Sequence, residues 1–238
     1  MADFFDFTGE NNPASGFAMF GAEHFAWLAA LVAAGALLCF CYKKSGARTR
    51  RSIRRAAAAA ALGIELLRAA LLFAAGEYNI GRLPLHLCAM AVYICALHSW
   101  RGGRLTGQFL YAFCLPGAVF ALLFPDWVSY PALHFMSVSS FLIHALIAAY
   151  VLMQVLAGDI APDIGRCPQC LALMLALALP VYVFDRATGT NYMFLNRPSP
   201  GSPLEWFSFL GRPGFVLGYI PIIAAVWAVI YFPFRRRK

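Results

Sequence analysis

Charge is what this sequence has least of. Only 13% of its 238 residues are Asp, Glu, Lys or Arg, against 61% that are hydrophobic, and its mean hydropathy is +0.68. A soluble domain cannot keep its surface wetted on that balance, so the composition excludes one. Walker, dinucleotide-fingerprint, Gly-x-Ser-x-Gly and His-Glu-x-x-His patterns are absent too, which removes the readily recognised nucleotide, hydrolase and zinc chemistries. No internal repeat suggests a transporter built from duplicated halves. The first twenty residues carry Asp3, Asp6 and Glu10 but no Lys or Arg, which predicts no cleavable leader. The seven cysteines are an odd number scattered through apolar stretches, unlike a disulfide framework. Cys167 and Cys170 have the spacing of half a zinc or redox site with no second pair to complete it, so no metal and no cofactor are expected.

What the chain has instead is long apolar runs. A hydrocarbon core takes about twenty apolar residues to cross, and seven segments qualify: 20–42, 55–76, 83–100, 107–124, 132–157, 167–184 and 215–234. Glycine, proline and polar residues separate them, with a long outer loop over 185–213. The reading is an all-α polytopic protein, a single domain over residues 1–238 folded as a bundle of seven transmembrane helices. Fourteen of the nineteen Lys and Arg fall in one set of flanks, including Lys43 to Arg55, Arg101, Arg104, Arg166 and Arg235 to Lys238. The positive-inside rule makes that set cytoplasmic, placing the N-terminus outside and the C-terminus inside, in the cell membrane. The net charge of +8 is therefore a topology signal and not a nucleic-acid surface. Trp100, Trp127, Tyr130, Trp206 and Tyr231 fall where an interfacial aromatic belt is expected.

Polar side chains inside a membrane are costly and usually have a task. Counting up each span from its cytoplasmic end at 1.5 Å per residue puts Glu65 about 15 Å, Cys88 about 18 Å, Arg68 about 20 Å and His144 about 21 Å into the membrane, in one layer. His24 and His134 come out higher, at about 28 and 36 Å. His86 looks like a partner for Cys88, but residues two apart on a helix point about 200° apart, so a base for Cys88 is sought on another span. Pro84 fits the first turn of a helix starting just before His86. Glu65 and Arg68, three apart, read either as a local ion pair or as a substrate contact. A thiol beside an imidazole or guanidinium is a candidate nucleophile; a buried Cys with a hydrogen-bonded His is the plainer alternative.

Several stretches together resemble the YwaF family of integral membrane proteins, which also includes a eukaryotic transmembrane acyltransferase of ether lysophospholipids. They are Phe20-Gly21-Ala22-Glu23-His24, Glu65, Leu83-Pro84-Leu85-His86-Leu87-Cys88, Gly117-Ala118 with Ala121 to Pro125, His134-Phe135 with His144, and Asn191-Tyr192-Met193-Phe194-Leu195. The resemblance implies a multi-span fold and a catalytic Cys working with a His in acyl transfer between phospholipids. It carries the nucleophile onto Cys88, and depth selects His144 over His134 as the base. Glu65, Arg68 and Arg82 are expected to contact substrate as charges in or beside the spans, and His24, His86, His134, Asn191 and Tyr192 as polar members of the matching stretches. Membrane lipids are then the partners, as substrates of an acyltransferase or acyl hydrolase. The rival expectation is a transporter or binding protein in which Glu65, Arg68 and His144 line a polar pathway.

Overall fold

A computed structural model describes residues 2–7 and 16–234. Glu10 and the basic run Arg235 to Lys238, used above for the leader and topology expectations, lie outside the described residues. The described chain is helical, and six of its helices are long and apolar enough to cross a membrane. We label the helices α1 (Ala22–Lys44), α2 (Ala47–Ala74), α3 (Leu87–Arg101), α4 (Arg104–Leu123), α5 (Phe135–Ala157), α6 (Cys167–Thr188) and α7 (Gly214–Phe234).

α3 is the exception. The sequence predicts a span over 83–100, but the helix begins only at Leu87 and has 15 residues, which at 1.5 Å each reach about 22 Å, short of the roughly 30 Å core. Pro84 does not open it. Pro84 disfavours helical backbone at Leu83, which is extended at φ −64°, ψ 151°, and the Leu85 N–H bonds back to the Leu83 carbonyl at 2.8 Å. His86 is also extended (φ −68°, ψ 148°) and stands as the N-cap.

α5 is the hub, buried along most of its length and packed against α1, α2, α3 and α4. α1, α6 and α7 turn most of their surface outward, as apolar helices facing lipid do. α2 is longer than expected: its 28 residues reach about 42 Å, so its first two turns, carrying Arg48 to Arg55, project past the hydrocarbon core. Arg50 fixes the α1–α2 turn, donating to the Tyr42 and Lys43 carbonyls and pairing with Asp159 at 3.3 Å, while the Tyr42 hydroxyl donates to the same carboxylate at 2.6 Å.

α4 contains one π-helical turn, Leu110–Cys114, and its cause is local. Pro116 has no N–H to give the carbonyl four residues back, that of Ala112. The Trp227 indole of α7 donates to that carbonyl at 3.0 Å, so the break in the ladder is also a joint between helices. The expected aromatic belt is only partly one. Trp100 and Trp206 are exposed, but Trp127, Tyr130 and Tyr231 are buried because each has a helix to pack against.

Candidate functional site

Cys88 lies in the first turn of α3, half-buried against the main core cluster, and the Ala89 N–H reaches its sulfur. α4 approaches closely here because Gly117 has no side chain; a Cβ on it would meet Leu87 Cδ2 at 3.3 Å. Arg68, Asp126 and Glu65 lie within electrostatic reach of Cys88. Asp126, Arg68 and His86 lie within reach of His144, and Asp126, Arg68, Asp185 and Glu65 within reach of His86. Arg68 and Asp126 are thus common neighbours of Cys88, His86 and His144. No hydrogen bond joins Cys88 to either histidine among the described residues.

The two imidazoles are held in complementary tautomers. His144 Nδ1 lies 2.7 Å from the Ser140 carbonyl, which can only accept, so Nδ1 carries the hydrogen. Trp127 stacks on the same ring at 5.0 Å and fixes its plane. Nε2 of His144 is left as the open acceptor, with no protein partner among the described residues. His86 is the reverse: the Met193 N–H donates to its Nδ1 at 3.3 Å, which puts the hydrogen on Nε2 as a free donor. Because His86 precedes the helix, the 200° separation argued from helical geometry does not apply to it.

Glu65 and Arg68 pair with each other at 2.6 Å. With Arg82, Tyr78, Pro84 and Tyr93 they line a crevice of about 40 Å³ between α2 and α3.

Four other expected residues are engaged elsewhere. His24 accepts from the Phe20 N–H at 2.9 Å and donates to the Leu122 carbonyl at 2.8 Å, tying the left-handed turn at Phe20 (φ 60°) to the end of α4. His134 is the N-cap of α5, accepting from the Met136 N–H at 3.1 Å and reaching the Asp6 carbonyl at 3.1 Å. Asn191 accepts from the Asn196 and Arg197 N–H groups and donates to the Arg197 carbonyl, closing its own loop. Tyr192 is 1% exposed; its hydroxyl donates to the Ile80 carbonyl at 2.6 Å and accepts from the Leu83 N–H at 2.8 Å.

The outer loop is therefore a latch on the entrance to α3. Buried Asp185 anchors it, accepting from Thr190 Oγ1 at 2.7 Å and the Tyr192 N–H at 3.0 Å. Met193 and Phe194 both adopt left-handed backbone (φ 51° and 54°), a conformation side chains resist, and it places the Met193 N–H on His86. Sequence reasoning missed Asp126 and Trp127 as neighbours of His144, although Asp126-Trp127 directly follows a matched stretch. It also missed the latching role of Asp185. All seven cysteines are free thiols, Cys167 and Cys170 among them.

Helices of this length and apolarity, wrapped around a buried hub that carries serines, a histidine and a glutamine, define a polytopic membrane protein with polar side chains buried inside the bundle. The TMEM164 family model matches residues 19–231, nearly the whole chain, and the protein belongs to the TMEM164 family. The YwaF resemblance rests on the motifs alone. No curated protein and no solved structure matches.

Proposed function

We propose that this protein is a membrane acyltransferase, or acyl hydrolase, acting on phospholipid acyl esters in the cell membrane through Cys88 and His144. The observation that carries the reading is the open Nε2 of His144, its ring fixed by Ser140 and Trp127, in the charged neighbourhood that also contains Cys88 at a helix N-terminus. The likeness to a family with a Cys-dependent lipid acyltransferase supports it further.

In this mechanism His144 Nε2 takes the Cys88 proton as the sulfur attacks the ester carbonyl. The carbon–sulfur bond forms, the ester carbon–oxygen bond breaks, and the imidazolium returns the proton to the departing lysolipid oxygen. His86 Nε2–H is the donor for the carbonyl oxygen as charge develops on it. A second lysolipid hydroxyl, or water, then attacks the thioester, His144 takes its proton, and the thiol is restored. Arg68 and Arg82 are the charges that attract the lipid phosphate in this reading.

The test is acyl exchange between labelled phospholipid and lysolipid in proteoliposomes, alongside the acyl-chain profile of expressing cells. Cys88→Ala should abolish both while the protein still folds, and His144→Ala should slow exchange by about 10²–10⁴-fold. Unchanged profiles in cells carrying Cys88→Ala would sink the proposal. Loss of function in Glu65→Gln and Arg68→Gln with Cys88→Ala silent would instead favour the transporter reading.

A further inference from the structure

We propose that the groove between α2 and α3 at the basic end of the bundle binds one anionic phospholipid, its phosphate on Arg54 and Arg55 and an acyl chain along the alanine face of α2. The site is separate from the Cys88 neighbourhood and does not rest on the catalytic reading. Ala96, in its wall, is eight residues along α3 from Cys88, about 12 Å away along the axis.

The groove has a volume of about 290 Å³ and is partly open to the outside of the bundle. Its walls are mainly Ala56, Ala58, Ala59 and Leu62 of α2 with Ala96 and Trp100 of α3. Residues 55, 58, 59 and 62 recur at helical spacing, so they form one furrow along α2. Alanine has nothing beyond Cβ to fill that furrow, and Ala56 and Ala59 are exposed in it. An apolar furrow parallel to a membrane helix fits an extended hydrocarbon chain.

The mouth has the opposite character. The Arg55 guanidinium lies over the Trp100 ring at 4.1 Å, and Arg54 reaches the Ser99 carbonyl at 3.4 Å. The Nε donors of both arginines are buried with no hydrogen-bond partner among the described residues. Among the described residues no acidic side chain forms an ion pair with either of them. Asp159 is paired with Arg50 and Asp163 with Arg166. Arg55 lines the head of the apolar furrow and Arg54 lies beside it, on the Ser99 carbonyl, so two guanidiniums meet there and match a lipid phosphate in charge. Arg48 and Arg51, on the projecting turns of α2, extend the positive field and favour an anionic lipid over a zwitterionic one.

The test is native mass spectrometry of the full-length protein in a neutral detergent, titrated with phosphatidylglycerol or phosphatidylcholine of identical chains. Phosphatidylglycerol should bind about tenfold or more tightly than phosphatidylcholine, and Arg54→Gln with Arg55→Gln should erase the preference. Ala59→Phe, which fills the furrow without touching a charge, should weaken phosphatidylglycerol by a similar factor; Ala56→Leu repeats the test with a smaller side chain if the first variant folds poorly. Equal affinity for the two lipids would overturn the proposal. So would unchanged binding to the filled-furrow variants, which would mean diffuse surface attraction, or displacement of the lipid by equimolar glycerophosphoglycerol, which would mean an anion site without a chain.

Discussion

Replacing Tyr192 by Phe removes one oxygen, and that oxygen is the bridge between the outer loop and the strand-like entry to α3. The hydroxyl donates to the Ile80 carbonyl at 2.6 Å and accepts from the Leu83 N–H at 2.8 Å. With the ring 1% exposed, water does not readily take its place. Ile80 is exposed and Leu83 half-buried, so each lost bond costs about its net worth of 0.5–1.5 kcal/mol and the two together about 1–3 kcal/mol. On a chain of this size that lowers the melting temperature by about 2–12 °C. Burial raises the Tyr192 pKa, with the Leu83 N–H opposing it, so the phenol stays protonated and the bridge is present at neutral pH. The assay pairs thermal unfolding in detergent with amide hydrogen exchange over residues 80–90, where protection should fall first. A variant that melts within a degree of wild type, with exchange at Leu83 unchanged, would refute the claim that the latch holds the mouth of α3.

Two further outcomes follow from buried bonds. His24→Ala strips partners from the Phe20 N–H and the Leu122 carbonyl and should cost about 2–4 kcal/mol in a melting experiment. Acyl exchange per folded molecule should stay level; a fall in that specific rate would restore His24 to the substrate site. Trp227→Phe leaves the Ala112 carbonyl unpaired beside Pro116 and should destabilise by about 1–2 kcal/mol, with faster exchange confined to residues 110–116.

The sequence made the long helices legible because a span is a physical requirement on twenty consecutive residues, and it shows wherever the chain must meet lipid. Depth counting drew on the same regularity: a fixed rise per residue turns sequence position into an expected height, and by it Glu65, Arg68, Cys88 and His144 were grouped and His24 and His134 set apart. The start of α3 was only half legible: Pro84 disfavours helix at Leu83, but the bonds that hold Leu83 and His86 come from Tyr192 and Met193, more than a hundred residues away. Trp127 read as an interfacial aromatic because composition registers the ring beside a turn but not the imidazole it stacks on. Asp126 escaped notice because depth counting considers only residues inside spans, and it lies in the connection between α4 and α5, within electrostatic reach of His144.

The latch also has a bearing on how the protein is made. Leu83 leaves the ribosome 109 residues before the tyrosine that bonds to it. Until α6 and the turn beyond it have been synthesised, the nascent chain holds a 15-residue apolar segment too short to span alone and with nothing to bind its open end. Its neighbourhood, Cys88 included, is assembled last although it is encoded in the first half of the chain. Truncations ending before Asp185 should then leave Cys88 accessible to a membrane-permeant maleimide, with the full-length protein the more slowly labelled.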